Sequence, residues 1–135
     1  MELQGNDGEF LSIARGDVGA TGTPGEGDLL LEISVNSSGY SAADQVWVHS
    51  GQWRRFIQEL NELEESRQGR ATLEGLSPRE LMLVFQSTDP LGHMAVAGTL
   101  GWHKPNGFAH KIAFGFAFDP TRLPVVVREL KALSR

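Results

Sequence analysis

Apolar and polar residues alternate between positions 28 and 36. Leu29, Leu31, Ile33 and Val35 fall on one side, and Leu30, Glu32 and Ser34 on the other, the period of a half-buried strand. The cluster Asn36-Ser37-Ser38-Gly39 predicts a turn. Residues 40–49, with Val46, Trp47 and Val48 at their apolar end, predict the strand returning beside the first. A shorter strand is expected over 9–15. The period then changes. Trp53, Phe56, Ile57, Leu60 and Leu63 recur at helical spacing, with Arg55, Gln58, Glu59, Glu62 and Glu65 opposite them. Ser50 is the expected N-cap and Gly69 the expected stop, which places a helix at about 50–67.

Beyond that helix, 70–74 reads as a short edge strand, and 80–88, 93–103 and 109–118 as three longer ones. The two connections between those three both read x-Pro-x-Gly-x, at Asp89-Pro90-Leu91-Gly92-His93 and Lys104-Pro105-Asn106-Gly107-Phe108. Proline suits the first place of a type I turn and glycine the left-handed place that closes a three-residue loop. Asp89 is therefore expected to face His93, and Lys104 to face Phe108. That register puts Leu81, Leu83 and Phe85 on one face with Ala95, Ala97, Thr99, Ala113, Gly115 and Ala117. The other face takes Met82, Val84, Met94, Val96, Leu100, Ile112, Phe114, Phe116 and Phe118. A helix is expected over the small face, and a curl of the sheet over the aromatic one. Leu123, Val126, Val127, Leu130 and Leu133 form the stripe of a C-terminal helix opening at Pro120 or Pro124. The expected class is α+β: a mostly antiparallel, curved β-sheet, one helix after the second hairpin strand and one at the C-terminus, in a single domain over 1–135. Residues 16–27 carry glycine at every third position for part of their length. Too few triplets follow for a triple helix, so this segment is expected to be a flexible glycine-rich loop.

Composition narrows the chemistry. A chain of 135 residues suits one domain. Cysteine is absent, which removes disulfides, thiolate metal sites and cysteine nucleophiles. With 12 basic and 17 acidic residues the net charge is -5, against the basic surface that general nucleic-acid binding requires. The N-terminus has neither a positive start nor an apolar core of a secretion signal, and no apolar run is long enough for a membrane helix. A cytoplasmic protein with no membrane or nucleic-acid partner is expected. Of the histidines, His93 and His103 share a face but stand about 33 Å apart along a strand, His110 falls on the other face, and His49 ends an earlier strand. No metal site follows. Ser12, Ser34, Ser41 and Ser77 lie in no nucleophile-elbow sequence, and the glycine-rich segment lacks the lysine and following helix of a phosphate loop. No catalytic residue and no cofactor is assigned. An enzyme would require a histidine and a carboxylate to meet in a cleft.

What remains is surface. Glu59, Glu62, Glu64 and Glu65 crowd the second half of the first helix, either as a solvated face or as an acidic patch for a basic partner. Trp53 has core spacing. Trp47 and Trp102 end strands and are candidate interface anchors. A pocket over the Phe114–Phe118 face, taking an apolar small molecule, is the alternative function. Pairing of two copies through a free sheet edge is a further expectation.

One resemblance adds to this. The strand at 28–35, the segment Asp44-Gln45-Val46-Trp47-Val48 leading into Trp53-x-x-Phe56-x-x-x-Leu60, and the ending His110-x-Ile112-x-Phe114-x-Phe116 with Asp119-Pro120 before Leu123-Pro124 resemble the WapI-type immunity proteins of bacterial polymorphic toxin systems. The likeness covers most of 28–133 and leaves 16–27 unmatched. It implies a non-enzymatic protein that binds and blocks a cognate toxin, commonly a secreted nuclease, and it brings no catalytic residues. On that expectation Glu59, Glu62 and Glu65 draw a basic toxin, and an exposed Trp47 or Trp102 anchors it.

Overall fold

The computed structural model describes residues 1–77, 79–103 and 107–134, with the backbone alone at Trp102 and His103. In chain order its elements are β1 (Glu2–Gln4), β2 (Phe10–Val18), β3 (Leu29–Ser37), β4 (Tyr40–Val48), α1 (Ser50–Ser66), β5 (Arg70–Glu74), β6 (Leu81–Ser87), β7 (Met94–His103), β8 (His110–Phe118), a 3-10 turn (Pro120–Arg122) and α2 (Leu123–Ala132). The class is α+β, as the periodicities predict. The strands divide into two antiparallel four-stranded sheets, ordered β1-β2-β3-β4 and β5-β6-β7-β8.

The first sheet follows its alternation. Leu29, Leu31, Ile33 and Val35 are buried, and so are Val46 and Val48 opposite them. Ser37 pairs with Tyr40, so the β3–β4 turn consists of Ser38 and Gly39, both at positive φ (54° and 81°). Such a two-residue turn matches the right-handed twist of its strands. Strand β1 is too short to show in the pattern. It pairs Leu3 with Leu11, and the N-terminal ammonium group donates to the Ile13 carbonyl at 2.7 Å. Of the glycine-rich segment, residues 16–18 finish β2. The rest is closed by backbone bonds from Gly19 N–H to Asp28 C=O (2.7 Å) and from Gly27 N–H to Gly19 C=O (3.2 Å).

The second sheet departs from the expected register at one place. Ser87, not Thr88, pairs with Met94, and Thr88 N–H bonds to the His93 carbonyl, so the β6–β7 loop is longer by one residue than the Pro-x-Gly reading allows. A one-residue slip moves every side chain of a strand to the opposite face. Leu81, Leu83 and Phe85 therefore join Met94, Val96, Leu100, Phe116 and Phe118 in the core, while Met82 and Val84 turn outward beside the alanines. The β7–β8 register is the expected one, Ala97 opposite Gly115, up to an irregularity between Gly101 and His103. The loop at 104–106 lies outside the described residues. Among the described residues the small face carries no helix, as Ala113, Gly115 and Ala117 are exposed on it. Cover for the aromatic face comes from the first sheet and both helices, which share one core cluster with it. Within that cluster Trp53, Phe56, Phe85 and Phe118 form a chain of ring contacts with centroids 5.6, 6.1 and 6.2 Å apart, the first two tilted and the last edge-on. Phe116 and Phe118 are core residues, so the pocket expected over the Phe114–Phe118 face is filled by protein; Phe114 packs half-buried against it.

Candidate functional site

Helix α1 is set by its two ends. Ser50 is its first residue, not its cap; His49 holds the cap position and makes no side-chain capping bond. The cap comes from another element. Asp28, buried at the start of β3, accepts from the Ser50 N–H at 2.9 Å, and its other oxygen lies 3.4 Å from His49 Nδ1. At the far end Arg67 adopts the left-handed conformation (φ 60°) and donates its N–H to the Leu63 carbonyl. Its guanidinium donates to the Glu64 carbonyl and, at 2.8 Å, to the Pro120 carbonyl, tying the end of α1 to the 3-10 turn that precedes α2.

Along its length α1 lies against β5, the edge strand of the second sheet. Glu59 is half-buried there, and its carboxylate accepts from the Thr72 N–H at 3.1 Å, while Gln52 donates to the Thr72 carbonyl at 3.2 Å. Two helix side chains thus satisfy outward backbone groups of an edge strand, a site where unpaired strands otherwise invite another chain. Glu62 and Glu65 stand in solvent. With no basic residue in the last turn, these carboxylates sit at the negative end of the helix dipole, where they are unfavourable.

Next to that end hangs the β6–β7 loop. Gln68, just past α1, donates to the carbonyls of Asp89 and Pro90 (3.4 and 3.3 Å). Asp89 organises the loop: its carboxylate accepts from the Leu91 N–H at 2.8 Å and meets His93 Nδ1 at 2.5 Å. The His93 hydrogen bond holds the Asp89 carboxyl below the usual carboxylate range. The loop leaves Leu91 84% exposed. An apolar side chain between Pro90 and Gly92, at a turn tip, is the signal by which the sequence marks it.

Of the five residues singled out from the sequence, the four whose side chains are described are not gathered into one patch. Glu62 and Glu65 share the C-terminal end of α1, and Glu59 is engaged with β5. Trp47 is 37% exposed on β4, beyond the other end of the helix, so a helix length of about 20 Å separates it from the acids. Its carbonyl accepts from the Leu76 N–H at 2.7 Å. The Trp102 side chain lies outside the described residues. Among the described residues no three histidine, aspartate or glutamate side chains come together as a group able to hold a metal ion, and no helix is long and apolar enough to cross a membrane. The open clefts among the described residues include two larger ones. One, of about 780 Å³, is lined by Met1, Glu2, Asp119, Arg122 and Glu129; the other, of about 510 Å³, lies between the sheets and is lined by Tyr40, Asp44, Lys111 and Ile112.

Structurally this is a two-sheet α+β protein whose distinctive surface groups, charges and apolar tips, are carried on a helix end and a loop. Residues 2–135 match the Immunity protein WapI-like family, and the chain belongs to that family. No curated protein and no solved structure matches it.

Proposed function

We propose that this protein is an immunity protein that neutralises a cognate toxin in the cytoplasm, by covering the toxin surface rather than by catalysis. The family match over residues 2–135 carries this reading. The candidate contact surface is the C-terminal end of α1 with the adjoining loop. Glu62 and Glu65 draw a basic toxin, and Leu91 gives the contact an apolar centre close to those charges. Trp47 is a second, more distant anchor. Two properties support the assignment. Exposed charges of one sign steer association with a partner of the other sign. And carboxylates at a helix C-terminus cost stability, about 0.3–1 kcal/mol each, so they are poorly explained as helix stabilisers.

The toxin encoded beside this gene is the partner to test, by calorimetry and pull-down with both proteins purified. A stoichiometric complex that weakens as salt rises is expected. Replacing Glu62→Lys and Glu65→Lys together should slow association and weaken binding by about tenfold or more, which corresponds to 1.4 kcal/mol, and should raise the melting temperature slightly. Leu91→Asp should speed dissociation. Absence of any complex with the neighbouring toxin would overturn the proposal. A complex indifferent to all three substitutions would move the interface away from this end of α1.

A further inference from the structure

Each sheet buries one face, and the two outer faces are unlike. On the first sheet that face is polar along most of β3 and β4: Glu32 stands opposite Gln45, and Asn36 opposite Ser41. This is the usual condition of an antiparallel sheet with one solvated face. On the second sheet, three successive rows cross β6, β7 and β8 without a charged side chain. The central row is Val84, Ala97 and Gly115. Met82 and Ala113 end the row on one side of it, and Gln86 and Ala117 the row on the other. Met82 is 37% exposed, and Ala113, Gly115 and Ala117 stand in solvent. Helix α1 lies along the β5 edge and α2 packs into the core, so among the described residues neither helix covers this face.

The face is also stepped. On β6 it carries the larger side chains Met82, Val84 and Gln86. On β7 and β8 the same rows hold alanine and glycine, with Thr99 the one larger residue. At Gly115 even a Cβ would lie 3.3 Å from the Ala97 Cβ, closer than such atoms ordinarily come. A ridge one strand wide thus lies beside a hollow two strands wide, with the strands about 4.8 Å apart. This asymmetry makes the surface complementary to itself. A two-fold axis in the contact plane, running along β7, turns each copy's β6 over the other's β8. Met82 then enters the hollow at the second copy's Ala113, and Val84 at the second copy's Gly115. An axis running across the strands would set ridge on ridge. The rim charges agree with the first axis. Glu80 accepts from the Gly101 N–H beyond the end of β6, and Lys111 pairs with Gly101 from β8, so the same rotation brings Lys111 of one copy over Glu80 of the other. Charges that meet at this rim are opposite in sign, whatever each contacts within its own copy.

We propose that the outer face of the β5–β8 sheet is a homodimer interface, in which two copies stack face to face about an axis along β7. The ridge of each copy fills the hollow of the other, and the rim charges pair by the same rotation; these two features name a second copy as the occupant. The contact uses the side chains of a face and no backbone edge. It is isologous and closes at two copies, where a head-to-tail contact would propagate. Three strands over about 20 Å of their length offer about 300 Å² of flat area to each copy. That is small beside the roughly 800 Å² per partner of a standard interface, so the dimer is a weak one that forms as concentration rises. The inference goes beyond the toxin-binding reading and does not depend on it.

The test begins with the purified protein alone, so its result is separate from that of the toxin-binding reading. Sedimentation and light scattering from about 10 μM to about 1 mM, the range that a weak contact calls for, should show the mass rising from monomer towards dimer. Met82→Asp and Ala113→Lys each bury a charge in the contact from an exposed position. Each should weaken self-association by about tenfold or more, with unchanged circular dichroism. Mixed in equal amounts, the two variants should pair with each other. The axis sets the introduced carboxylate over the introduced ammonium in one half of the contact and leaves the other half as in the wild type. A wild-type protein that stays monomeric throughout the series would overturn the proposal. So would a dimer untouched by either substitution, or weakened variants that do not recover on mixing. A Met82→Asp protein that dimerises as before but no longer binds the toxin would assign this face to the toxin and overturn it as well.

Discussion

A single carboxylate decides where the first helix begins. Ser50 has the residue type of an N-cap and stands next to the helical run, yet Asp28, distant in sequence, accepts the Ser50 N–H and sits at the positive end of the helix dipole. Sequence spacing cannot reveal this, because the two residues are brought together only when β3 and β4 have paired. The expected consequence is an asymmetry between neighbours. Asp28→Ala should cost about 1–2 kcal/mol in urea unfolding, the usual loss when a capping side chain is removed, whereas Ser50→Ala should be close to neutral. Equal costs for the two would return the cap to Ser50. The same logic applies at the other end of the chain. Asp119 accepts both the Thr121 N–H and its hydroxyl ahead of α2, and these bonds lower the Asp119 carboxyl from its ordinary value.

At the scale of elements, what the pattern of apolar positions makes legible is which segments are strands and helices, and what it hides is how they meet. The alternation of β3 and β4 and the stripe of α1 carry their own faces, so Val35, Val46, Phe56 and Leu60 are buried as expected. Strand β6 is different. Leu81, Met82, Leu83, Val84 and Phe85 are all apolar, so neither face is marked, and the register rests on the loop alone. Asp89, by accepting the Leu91 and His93 N–H groups, builds a loop one residue longer than proline and glycine suggest, and the strand turns over. The candidate site was legible to the same extent. That Glu62 and Glu65 are exposed could be read from helical spacing, because an outward helical position needs no partner from another element. The role of Glu59 could not be read, since it depends on β5 lying beside α1. That role gives a sharp contrast. Glu59→Ala should lose about 1 kcal/mol and speed hydrogen exchange at the Thr72 amide, and Glu62→Ala should do neither. Unchanged exchange at Thr72 in the Glu59 variant would show that the edge is protected by burial alone.

Taken as a whole, the chain looks divisible: one meander before α1 and one after it, each four-stranded. The packing argues against two independent units. Each sheet buries one face only, and the residues on those faces belong to the same cluster, with Leu31 and Val46 from the first sheet, Leu83 and Val96 from the second, and Phe56 and Val127 from the helices. Backbone bonds also cross between the halves, from Asn6 to Ala117 and from Leu76 to Trp47, and Arg67 holds Pro120. Neither meander has another surface against which to bury its apolar face, and a segment of about 50 residues without disulfides or metal is near the lower limit for folding alone. Unfolding should therefore be a single transition. In a urea titration, far-ultraviolet circular dichroism, which follows both sheets and helices, should superimpose on the fluorescence of Trp53, read in a protein whose other tryptophans are replaced by phenylalanine. Trp53 reports on the meeting of α1 with the core through its contact with Phe56. Coincident curves are the behaviour of one cooperative unit; a fluorescence change completed while half of the strand signal remains would mean that one meander stands without the other, and that the shared core does not govern stability.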